Sequence, residues 1–119
     1  MRTRLSVLAA VALLAAGAVA PVFAHHGWSG YDANAALTLT GTIKESGYEH
    51  PHGHIRLEVP GKVWLVVLAP PTRMERRGLP AAMLKVGDTA TVVGYPHRTQ
   101  ADEMRAERIT LAGQTVELS

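Results

Sequence analysis

Three of the chain's six histidines fall within five positions, in Glu49-His50-Pro51-His52-Gly53-His54. Two more are adjacent, His25-His26, so five of the six sit in two short clusters. Clustered imidazoles point first to a metal, because a neutral ring nitrogen is a good ligand for copper and zinc. In an extended strand alternate side chains share a face, with α-carbons about 6.6 Å apart, so His52 and His54 are expected to point the same way and grip one ion. His50 joins them if Pro51 keeps the backbone extended, which its fixed φ permits. The plainer alternative is a polar strand face whose histidines bond to neighbours or water.

The weight of the second cluster depends on where the chain begins after export. Arg2 and Arg4 make a positive start, Leu5 to Ala20 is almost uninterrupted Leu, Val and Ala, and Val22-Phe23-Ala24 offers small or neutral residues at cleavage positions. This pattern predicts a signal peptide over residues 1–24 and a periplasmic or secreted product. The apolar run is short against the roughly 20 residues of a membrane span, and Pro21 follows it, so no stable membrane insertion is expected after cleavage. Cleavage after Ala24 gives His25 an α-amino group with a pKa of about 8, able to chelate a metal together with its own imidazole. His26 adds a second imidazole and a route through the amine and the intervening amide nitrogen. Paired histidines would equally suit a solvated tail.

Composition narrows the chemistry. The chain has no cysteine, which excludes disulfides, thiolate metal sites and a lipoprotein anchor. With neither a thiolate nor an evident carboxylate partner in either cluster, an amine-and-imidazole set suits copper; zinc is the alternative, and would want four tetrahedral ligands. Met74, Met83 and Met104 read as core filler, Trp64 as core, and His97, after Tyr95-Pro96, as a turn residue. Of the twelve basic residues two lie in the leader, leaving ten against ten acidic ones, so the mature chain is neutral and its charge gives no ground for nucleic-acid binding. Asp32, Glu45, Glu49 and Glu58 read as solvated, and no nucleophile, base and acid stand in a catalytic pattern, so no enzyme activity is expected.

At 119 residues and 47% hydrophobic, the chain suits one small domain. Residues 25–36 carry Trp28 and Tyr31, and two aromatics there predict a segment that packs on the domain, residues 37–119. From Leu37 the pattern alternates, with Leu37, Leu39, Gly41 and Ile43 on one face, which predicts a strand near 37–45; Gly41 within it suggests a bulge that lets one long strand serve two sheet edges. Further strands are expected near 54–59, 62–68, 89–95 and 104–111, with a last one at 116–118. Residues 63–68 are apolar on both faces, as in a central strand. Thr72 to Leu84 reads as a helical connection, with Thr72 as N-cap and Gly78 as a stop. Three strands, a short helix and two more strands is the order of the OB-fold, a five-stranded Greek-key barrel, so the class is all-β.

The chain also resembles an uncharacterised family of small exported bacterial proteins, a domain of unknown function regarded as OB-like. The resemblance rests on Ala24-His25-His26, Pro51-His52 before a strand, Trp64 in the next, Pro70 followed by Arg76-Arg77-Gly78, Lys85-Val86-Gly87-Asp88, and Gly94-Tyr95. This sequence departs from that pattern with His50 in place of asparagine and with the additional His54. Such a family implies a fold but no activity. The residues themselves predict an exported metal-binding protein, a copper buffer, chaperone or sensor, using His25 and His52 with His26, His54 and His50 in support. The alternative is a metal-free OB-type module for a peptide, glycan or partner protein.

Overall fold

In a computed structural model, residues 28–119 are described. The elements are β1 (Leu37–Gly47), β2 (His54–Val59), β3 (Lys62–Val67), α1 (Pro71–Arg76), a 3-10 turn (Ala81–Met83), β4 (Thr89–Pro96), β5 (Glu103–Leu111) and β6 (Gln114–Glu117). β1 serves two neighbours: residues 37–42 pair with β4 and residues 42–47 with β2. β2 then pairs with β3, and β4 with β5, all antiparallel. A short parallel pairing, Leu65 to Val67 against Glu103 to Arg105, joins β3 to β5 and closes a five-stranded barrel. β6 continues beyond it as a hairpin on the far half of β5.

Alternation dictates the interior. Ile55 and Leu57 from β2 are wholly buried while Arg56 and Glu58 face outward, and Ile43, Val66, Val92 and Ile109 complete the barrel core. Helix α1 closes one end with Met74, which has no exposed surface, and Leu79 and Leu68 pack in the same cluster. Met104 is equally buried and Met83 packs against the core, so all three methionines serve as filler. Trp64 is partly buried against the core with Lys62 Nζ 3.8 Å from its ring centroid.

Three local expectations are corrected. The register shift in β1 falls between Ile43 and Glu45, one turn of pleat beyond Gly41. Gly41 instead permits close approach, since a Cβ there would collide with the carbonyl of Glu58. The helix starts one residue before Thr72: Pro70 is its N-cap, with no side-chain cap, and Pro71 takes the first turn, where a missing N–H costs nothing. Finally, β3 is not covered on both faces. Val63 is 41% exposed, and Leu65 and Val67 are only half-buried, because they alternate with Trp64 and Val66 and pair with Glu58, Arg56 and His54 on the outward face of the β2–β3 wall.

Residues 28–36 pack on the β4–β5 end. Tyr31 bridges to His97, Asp32 N–H donates to the Pro96 carbonyl at 2.9 Å, and Arg98 N–H donates to the Gly30 carbonyl at 2.8 Å. At the end of β6 and just beyond it, Arg77 Nη1 donates to the carbonyls of Glu117 and Ser119 at 2.8 and 2.7 Å. Among the described residues, no helix is long and apolar enough to cross a membrane.

Candidate functional site

The β1–β2 loop carries the histidine cluster into a groove on the open wall of the barrel. That groove, about 380 Å³, is lined by Pro51, His52, Gly53, His54, Arg56, Leu65 and Val67. His52 and His54 therefore line one groove. His50 does not join them, because residues 50 and 51 form a bend and strand β2 begins only at His54; His50 stands exposed before it. His25 and His26 lie outside the described residues. Among the described residues, no three His, Asp or Glu side chains come together as a metal-holding group.

His54 is positioned by its partner across the sheet. Gly47 is its register neighbour, and a Cβ on Gly47 would collide with the imidazole, so the ring lies over the glycine. From there Nε2 reaches Glu45 Oε1 at 3.4 Å. This corrects the expectation that neither cluster has a carboxylate. The bulge between Ile43 and Glu45 shifts the register so that Glu45 sits diagonal to His54, also 3.7 Å from Arg56 Nε, and that placement cannot be read from spacing alone.

His52 sits in a different environment. It is half-buried, and burial, followed by the guanidiniums of Arg105 and Arg73, holds its imidazole below the usual histidine range. Arg105 is 7% exposed, and its Cζ lies 4.2 Å from the ring centroid of Trp28. Arg73 Nη1 donates to the Leu118 carbonyl at 3.2 Å. Sequence reading missed Arg105 because it occupies an outward position of an alternating strand. Its signal is a break in period two: Met104, Arg105 and Ala106 are buried in succession, beside the register shift between Val93 and Gly94.

The N-terminal segment adds a second concavity. Trp28 meets Tyr31 and Tyr95 edge to face, with centroids 6.3 and 6.0 Å apart, and Tyr31 meets His97 at 5.1 Å. The Tyr31 hydroxyl donates to Glu103 Oε2 at 2.5 Å; burial, that bond and the carboxylate charge push the phenol above its usual range. His97 works as a turn residue: its Nδ1 accepts the backbone N–H groups of Thr99 and Gln100 at 3.1 and 3.0 Å.

A family model described as a family of unknown function, DUF6152, matches residues 11–105, most of the chain and nearly all of the barrel. The chain belongs to DUF6152. No curated protein matches this DUF6152 chain in sequence. Two solved structures resemble its fold. The crystal structure of the S. pombe Stn1-ten1 complex gives a TM-score of 0.54 at 15% identity over 66% of this chain and 59% of that one. The crystal structure of TiaS in complex with an isoleucine tRNA and ATP gives 0.52 at 19% identity over 74% of this chain and 19% of that one. This DUF6152 chain thus spans less than two thirds of either, and at such identity the likeness establishes the OB-like architecture alone.

Proposed function

We propose that the exported, mature protein binds Cu(II), with His25 and its α-amino group and His52 as principal ligands and His26, His54 and His50 in support. One observation carries the reading: Trp28 lies over Arg105, and the charge of Arg105 acts on His52. Residue 25 is three positions before Trp28, and an extended chain spans about 3.3–3.6 Å per residue, so the mature terminus starts within roughly 10 Å of the Trp28 backbone. Burial and the nearby guanidiniums also hold the His52 imidazole below its usual range, which favours its neutral form, and only neutral imidazole coordinates. The nearby guanidiniums oppose a bare dication. Copper, unlike zinc, readily displaces an amide proton between an amine and a second-position imidazole, and the ligand set then carries a compensating negative charge.

The test is calorimetric titration of copper and zinc into mature protein beginning at His25, beside a copy with one extra leading residue. The extra residue and His52→Ala should each lower copper affinity at least tenfold, about 1.4 kcal/mol. Unchanged affinity in both would separate the two clusters and remove the shared site. The metal-free reading, an OB-type module for a peptide, glycan or partner protein, draws support from a different place, the aromatic concavity beside β4 and β5.

A further inference from the structure

We propose that the cleft between residues 28–34 and the β4–β5 end of the barrel is a carbohydrate site that takes one ring of a neutral sugar. Its volume is about 450 Å³, and its walls include Trp28, Tyr31, Tyr95, Asn34, Arg98 and Glu107. Pockets of roughly 300–1,000 Å³ with apolar walls and a few fixed polar groups are the usual form of small-ligand sites. OB-type barrels as a class accommodate oligosaccharides as well as nucleic acids.

The arrangement of the rings selects among ligands. Trp28 stands at 67° to Tyr31 and 79° to Tyr95, so these rings form a stepped wall and not a slot between parallel faces. A flat base gains most from parallel stacking, whereas a pyranose needs one apolar wall for its C–H face and polar groups around its rim. The rim supplies both kinds of partner. Arg98 donates to the Ser29 carbonyl through Nε at 3.3 Å, and its terminal nitrogens are unbonded among the described residues. The Asn34 amide side chain is likewise unbonded there, and it both donates and accepts. Glu107 receives Tyr95 and Arg108 on Oε2, at 3.4 and 3.3 Å, leaving Oε1 as an acceptor. A guanidinium, an amide and a carboxylate match sugar hydroxyls, each of which donates and accepts. A phosphate or other anion would meet the Glu107 carboxylate and lose that match.

The cleft shares Trp28 with the copper reading, but His50, His52 and His54 do not line it, so its test is run on metal-free protein. Saturation-transfer NMR on the mature protein with maltotriose, cellotriose and chitotriose should show transfer to ring protons of at least one. Adenosine monophosphate, the control for a base-binding cleft, should receive none. Asn34→Ala, at an exposed position, should weaken sugar binding at least tenfold with the circular dichroism unchanged, and Tyr95→Ala should do so more severely. Absence of transfer to all three sugars, transfer that survives Asn34→Ala, or preferential transfer to adenosine monophosphate would each overturn the proposal.

Discussion

The indole of Trp28 lies over the guanidinium of Arg105, with Cζ 4.2 Å from the ring centroid. The contact ties residue 28 to a buried cation on β5 and so fixes the N-terminal segment against the barrel. Trp28→Ala removes this contact and two edge-to-face ring pairs, and should destabilise the fold by about 2–3 kcal/mol. Urea unfolding measures the loss, and hydrogen exchange at the Tyr31 amide, which donates to the Trp28 carbonyl at 3.0 Å, should accelerate. If Trp28→Leu proves as stable as the parent, area alone holds the segment and the cation plays no part.

His52 makes stability fall in mild acid. Its unfolded imidazole takes a proton near pH 6.5, whereas burial and the charges of Arg105 and Arg73 hold the folded one below that. Well above pH 6.5 both states are neutral and His52 contributes nothing to the pH dependence. As pH falls below it, the unfolded state binds a proton that the folded state does not, and stability drops until the folded imidazole also protonates. His52→Asn should therefore lose less stability than the parent between pH 7.5 and 5.5. Arg105→Leu should move the His52 titration, followed by imidazole NMR, to higher pH; an unmoved titration would remove Arg105 from the account.

Tyr31→Phe deletes the hydroxyl that donates to Glu103 at 2.5 Å. A hydrogen bond to a charged acceptor contributes about 1.5–3 kcal/mol, and a half-buried one should fall near the lower end. The raised phenol pKa carries a signature of its own, because ionisation of Tyr31 is disfavoured in the folded state and the parent should lose stability as pH rises beyond about 10. Spectrophotometric titration of the phenolates should show one tyrosine fewer ionising late in the variant. An unchanged alkaline profile would count against the bond.

Gly94→Ala should be among the most damaging single changes in the barrel. A Cβ there would collide with the backbone of Arg105 and Ala106, which cannot rotate away as a side chain would. Gly53→Ala offers the comparison, since its nearest obstacle is the flexible tip of Met74, 2.5 Å from the added atom. The expected order in thermal unfolding is Gly94→Ala well below Gly53→Ala, by more than about 2 kcal/mol. Equal losses would mean that the β4–β5 pairing yields more readily than its geometry implies.

Hydrophobic alternation was enough to place the barrel strands, since Leu37 to Ile43 and Ile55 to Val59 could bury one face only in a single register. The parallel closure of β3 on β5 was not legible, because pairing across some forty residues leaves no local pattern. Nor was the open outer face of β3: Val63 reads as core by type, but it pairs with Glu58 on the outward side of the wall and stays exposed. The site was legible in part. The spacing of His52 and His54 brought both into one groove, but Pro51 lies in a bend and leaves His50 apart. Glu45 beside His54, and Arg105 beside His52, arise from register shifts, which depend on the whole sheet and not on neighbours in sequence.

The grip of Arg77 on the carbonyls of Glu117 and Ser119 bears on how copies of the protein behave at high concentration. β6 is the last strand on its side of the sheet, and such a margin ordinarily offers a row of open acceptors on which another chain can extend the sheet. With one guanidinium on the Glu117 acceptor and on that of Ser119 just past the strand, an incoming strand must first displace a charged donor, so stacking into fibrils is discouraged at a margin that barrel closure leaves unsealed.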